Sequence, residues 1–180
     1  FVFFFFFAID QRYPLFDESL LNLRILNEYS CVYTFRFASR LNLLLKKKEG
    51  SRAKTNLVKV REYKATIFDI MPLEKDRYYK LRLSNSISGS FYSLFVHSPE
   101  INVFFHTADN QWRKFRSSIK LLETGVFGDY FFGTTEDVYH YLKGDSINVG
   151  NKIISFRLSM PQGGLFNKDM TVEEYKIAAQ

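Results

Sequence analysis

The chain has 180 residues, enough for one domain with a sizeable core or a domain with an ordered arm. Hydrophobic residues make up 46%, which excludes a disordered polymer, and a net charge of +6 inclines the surface toward anionic partners. A single cysteine, Cys31, excludes an internal disulfide and a multi-cysteine metal site; it fits a reducing, intracellular setting, cytoplasmic or organellar.

The 20 Phe and 11 Tyr suit half-buried, pleated surfaces, so the composition leans toward strands. Phe1 to Ala8 is a low-complexity apolar run, too short for a membrane span of about 20 residues. It lacks the basic flank and small-residue cleavage site of a signal peptide. A start at Phe1 rather than Met points to a processed product or a piece of something longer. Such a run is expected to bury itself as a strand or against a partner.

Pro14 to Asn27 reads as a short helix, with Asp17 as N-cap and Leu20, Leu21, Leu23, Ile25 and Leu26 as its apolar face. Cys31 to Phe37 alternates weakly as a strand, and Arg40 to Lys48 suits a helical turn or two. Glu49 to Asn56 is the best linker, dividing an N-terminal part (1–56) from a β domain (57–180). Charge is concentrated around this linker. From Tyr33 to Lys64 there are ten cations and two acids, a local +8 that exceeds the +6 of the whole chain.

Beyond the linker the pattern is strand, turn, strand. Leu57 to Ile70 shifts its apolar phase near Arg61, which predicts a bulge or two short strands. Arg77 to Leu83 alternates as a half-buried antiparallel strand. Ser84 to Ser90 reads as a turn, Phe91 to Val96 as a central strand, and Ile101 to His106 as another. Trp112 to Leu122 begins as a basic strand and finishes as a helical turn. Glu136 to Leu142 fits either type. Lys152 to Met160 is a clean strand with Ile154, Phe156, Leu158 and Met160 facing in. Thr171-Val172-Glu173-Glu174 has the form of a capping box and predicts a C-terminal helix. The expected fold is therefore mainly β: an antiparallel β-sandwich or barrel with an N-terminal arm and helix and a short C-terminal helix.

The sequence shows no nucleophile elbow, P-loop, dinucleotide fingerprint, zinc-protease motif or EF-hand. No cofactor or metal is expected. Asp69, Glu74 and Asp76 flank one turn, but Lys75 and Arg77 dilute them and too few oxygens gather for calcium. His97, His106 and His140, with Glu100 or Asp109, are the remaining materials for a His-dependent enzyme.

Two basic features point to a polyanion. The first is the dense segment carrying Arg36, Arg40, Lys46, Lys47, Lys48, Arg52 and Lys54. The second is Trp112-Arg113-Lys114-Phe115-Arg116, where cations interleave with aromatics able to stack on bases. Trp112 and Phe115 are the aromatic contacts expected there. The function that joins these features is a non-catalytic structural subunit of a larger assembly, its basic arm facing RNA or an acidic protein surface, with other protein chains as partners. The alternative is a freestanding β-sandwich that binds carbohydrate or lipid through Trp112, Phe127, Tyr130 and Phe131.

Overall fold

The computed structural model describes residues 1–4, 19–49, 56–95, 100–145, 149–160 and 164–178. Asp17, Arg52, Lys54, His97 and most of the Phe-rich run and linker lie outside the described residues. In chain order the elements are β1 (Val2–Phe4), α1 (Ser19–Glu28), β2 (Tyr29–Phe37), β3 (Arg40–Lys47), β4 (Asn56–Thr66), β5 (Met71–Pro72), β6 (Arg77–Asn85), α2 (Ile87–Phe95), β7 (Glu100–Thr107), β8 (Trp112–Ser118), α3 (Ile119–Thr124), β9 (Val126–Phe127), α4 (Thr135–Lys143), β10 (Ile153–Ser159) and β11 (Phe166–Ala178).

The protein is mainly β. Its strands form three antiparallel sheets, ordered β1-β3-β2, β5-β10-β7-β8 and β4-β11-β6-β9. None closes into a barrel among the described residues. The two four-stranded sheets face each other: Tyr79 of β6 meets Phe156 of β10 with ring centroids 6.1 Å apart. Between them lie Leu81, Leu83, Val103, Phe105, Leu158, Met170 and Val172, all buried. The three-stranded sheet packs β2 and β3 against α4 and β2 against α1, and Leu43 and Leu45 join one core continuous with the rest.

Tyr78 fixes α3 to the outer side of β6. Its hydroxyl bonds Ser19 Oγ at 2.7 Å and donates to the carbonyl of Thr124. Gly125 passes this ring at φ +127, where a Cβ would lie 2.1 Å from a ring carbon, so only glycine fits.

Hairpin β2–β3 turns through Ala38 and Ser39, between the paired residues Phe37 and Arg40. Both have positive φ, 47° and 64°, the pattern of a type I′ turn, yet neither is Asn or Gly. Relieving that strain with the double change Ala38→Asn and Ser39→Gly is expected to add about 1 kcal/mol of stability, read from urea unfolding midpoints.

Several local expectations are corrected. The C-terminal helix is instead strand β11: Thr171, Glu173 and Tyr175 line one face and Met170, Val172 and Glu174 the other, paired on both sides by β4 and β6. Two full ladders outweigh a local cap. The helix expected over Arg40 to Lys48 is strand β3, paired by both β1 and β2. The strand expected over Phe91 to Val96 falls largely within helix α2, whose first turn is held by Ser86 Oγ accepting from the Gly89 amide at 3.1 Å. Ile154 does not face in. The ladder shifts between Ile153 and Ser155, and Ile154 is left 41% exposed. The bulge expected near Arg61 is present, because the β4–β11 register slips between Glu174 and Tyr175 and Val60 has no partner.

Asp129 ties the loop before α4 to the turn before β6. Its two carboxylate oxygens accept from the Asp76 amide at 3.0 and 3.3 Å. Burial pushes its pKa up to about 6; the Asp76 amide, Lys75 and Lys152 oppose this, while the Asp76 charge adds to it. A raised carboxylate favours folding while protonated, so its contribution is lost as pH rises from about 4 through about 6. Asp129→Asn is therefore expected to match the parent near pH 4 and to exceed it by about 1–2 kcal/mol at pH 7, in paired urea titrations.

Candidate nucleic-acid interface

Strand alternation divides the Trp112 to Arg116 segment between two faces. Trp112, Lys114 and Arg116 lie on the outer face of sheet β5-β10-β7-β8, opposite His106, Phe104 and Asn102 of β7. Arg113 and Phe115 lie on the other face. The period of two thus separates Arg113 and Phe115 from the other three residues of the segment. Phe115 packs on Phe105 and Phe131, with centroids 6.1 and 5.7 Å away. Arg113 pairs with Asp109 at 3.0 Å, and its guanidinium sits 4.4 Å from the Phe131 ring centroid.

On the outer face three strands bring aromatics and cations into one column. The rings of His106 and Trp112 stack with centroids 4.6 Å apart and an interplanar angle of 14°. His106 Nε2 is fixed by Asn110 Oδ1 at 2.9 Å. Register places Phe104 directly between Lys114 on β8 and Arg157 on β10. The Arg157 guanidinium lies 4.7 Å from the Trp112 ring centroid and 5.2 Å from that of Phe104. Arg157 and Lys114 meet no carboxylate among the described residues, and both are exposed. Arg116 is held by Glu100 through both carboxylate oxygens. Trp112 remains 39% exposed.

No match is found. The chain resembles no family model, no curated protein and no solved structure.

The basic segment around the linker presents a different picture in space from the one it presents in sequence. Arg36 pairs with Glu136 at 3.3 Å, Lys46 with Glu49 at 2.7 Å and Lys47 with Glu28 at 3.5 Å. Lys48 donates to the Asn27 carbonyl at 3.0 Å. Arg40 follows the hairpin turn and is exposed. Further along, Lys59 meets Glu62 and Glu173, and Arg61 meets Glu174. Carboxylates from α1, α4 and β11 thus offset much of the run.

The loop aromatics are mostly turned inward. Phe131 is 8% exposed, and Tyr130 packs on Tyr141 at 6.1 Å. The Phe127 side chain lies outside the described residues. Of the histidines, His140, on α4, sits on Tyr139 and bonds Asp145 at 3.2 Å, whereas His106 is in the stack on β7. Among the described residues no three His, Cys, Asp or Glu side chains gather as metal ligands would, and no helix is long and apolar enough to cross a membrane.

Phe104 and Arg157 were not singled out from sequence, and His106 was singled out only as material for a His-dependent enzyme, not as part of an aromatic surface. The signal available for Phe104 and His106 was the alternation of Ile101, Val103 and Phe105 against them. Arg157 carries no signal of its own, because the register that seats it beside Phe104 belongs to the sheet.

Proposed function

We propose that this protein is a non-catalytic module that binds single-stranded nucleic acid, RNA foremost, on the outer face of sheet β5-β10-β7-β8. The observation that carries this is the outer-face column of exposed Trp112 and Arg157 with half-buried His106 and Phe104, and exposed Lys114 at its side. Aromatic rings on a sheet surface take unpaired bases by stacking, and adjacent cations take the phosphates. Arg157 lies over two rings; a docking base takes its place, and the guanidinium turns to the backbone. A duplex, with its bases already stacked, has no face to offer this surface.

The test is fluorescence anisotropy with a labelled single-stranded dodecamer of RNA and a hairpin duplex of the same length. Tight, salt-sensitive binding of the single strand and at least tenfold weaker binding of the duplex are expected. Equal affinity for both, or none for either at low salt, contradicts the reading.

A role as one subunit of a larger assembly is supported by a second surface. On sheet β1-β3-β2, Phe3, Tyr33 and Phe37 are each more than half exposed, as is Phe1 just before β1. Phe3 meets Phe35 edge-on at 6.1 Å. Contiguous aromatic area of this kind marks a face that meets another chain.

A further inference from the structure

We infer that the outer face of the other four-stranded sheet carries a second, separate site, which binds a phosphate group. Its origin is a fault in one ladder. Between the pairs Phe166↔Asn85 and Met170↔Leu83, β11 spends two more residues than β6, and the strand bows away from its neighbour. The bow opens a cavity of about 460 Å³ lined by Lys64, Arg82, Ser84, Asn167, Lys168 and Thr171, among others. That volume falls in the range of small-molecule sites.

The polar lining is arranged by register. Thr171 of β11 stands directly between Lys64 of β4 and Arg82 of β6, so three strands present cation, hydroxyl and cation in one row. Lys168 adds a third cation from the bow itself. Lys64 Nζ donates to Thr171 Oγ1 at 2.6 Å, a hydroxyl rather than a carboxylate. Arg82 shares Glu173 with Lys59, at 2.9 and 3.2 Å. Asp169 is the one carboxylate in the lining, set against three cations. Asn167 is oriented by donating to Ser84 Oγ at 2.7 Å and to the Asn85 carbonyl at 3.3 Å. Leu83 and Met170, whose side chains are buried in the core, border the cavity where the ladder resumes.

This is the composition a phosphate requires: excess positive charge for its oxygens, with hydroxyl and amide donors at the side. The site is on the far side of the sandwich from the aromatic column. A phosphate held here belongs either to a free small molecule or to a strand that continues around the domain.

The experiment uses the full chain at low salt, with pyrophosphate and single-stranded dodecamer RNA as separate probes, followed by calorimetry and by amide shifts in NMR. The variants are Lys64→Ala with Lys168→Ala, which leaves the Arg82–Glu173 pair intact, and Trp112→Ala as the control from the opposite face. Saturable pyrophosphate binding that moves the amides of Ser84, Asn167 and Thr171, and weakens at least tenfold in the double variant alone, supports the site with a free phosphate compound as its ligand. RNA binding that the double variant weakens by a similar factor in the parent and in the Trp112→Ala background, without pyrophosphate binding, supports the site with a strand phosphate as its ligand. Absence of both, or pyrophosphate binding unchanged by the double substitution, overturns it.

Discussion

Replacing Glu174 with Ala is expected to lower stability by about 3 kcal/mol, the largest single effect of any substitution considered for this fold. Glu174 is 1% exposed on an inner strand of its sheet. Both of its oxygens are engaged, one by Arg61 Nε at 2.6 Å and the other by Arg77 Nε at 3.1 Å. Arg77 is itself only 20% exposed. Removing the carboxylate leaves that guanidinium with Glu74 as its remaining partner and opens space beside Tyr79. In a chain of this length the loss corresponds to a fall in Tm of roughly 6–12 °C. Glu62→Ala, an exposed acid on the same sheet, is expected to leave the midpoint unchanged. Equal effects from the two would show that burial does not set the strength of these pairs.

The second large effect concerns binding. Trp112→Ala with Phe104→Ala removes two rings of the column, each worth about 1–3 kcal/mol against a stacked base. Affinity for a single-stranded dodecamer is expected to fall by at least thirtyfold, with a smaller effect on the unfolding midpoint than removal of a core ring such as Phe105, because both rings lie on the outer face. Lys114→Ala and Arg157→Ala act differently. Each is expected to weaken binding and to reduce the dependence of log affinity on log salt by about 0.7, the release expected for one single-strand phosphate contact. Phe115→Ala, facing inward, is expected to cost stability instead of changing the salt slope.

The strands were legible where one face is apolar and the other is not. Tyr79, Leu81 and Leu83 on β6, and Val103 and Phe105 on β7, repeat at a period of two and lie buried where the pattern places them. The phase shift near Arg61 was readable because a bulge displaces the alternation itself. The tail at Thr171 was not readable. Thr-Val-Glu-Glu satisfies the local rule for a helix start, and only the flanking strands β4 and β6, far away in sequence, make the same residues a ladder. A genuine capping box stands at Thr134 and Asp137, which start α4, and it lacked the Glu or Gln that usually marks the motif.

The candidate interface was half legible for the same reason. Trp112 and Lys114 announce themselves by composition, whereas Phe104, His106 and Arg157 join them only through the registers of β7 and β10. The local +8 of the basic segment was a true reading of sequence. It is partly offset in space by Glu28, Glu136, Glu173 and Glu174, whose positions depend on the fold. Charge counted along a chain does not report charge on a surface.

The chain's one tryptophan is Trp112, so its intrinsic fluorescence reports directly on the proposed contact. The decisive measurement is a titration of the full chain with unlabelled oligouridine, followed by tryptophan emission at low and at moderate salt. Saturable quenching that weakens as salt rises, and that is abolished by excess single-stranded competitor but not by duplex, is the result expected. Emission that stays unchanged while the oligonucleotide binds would place the contact elsewhere and contradict the account.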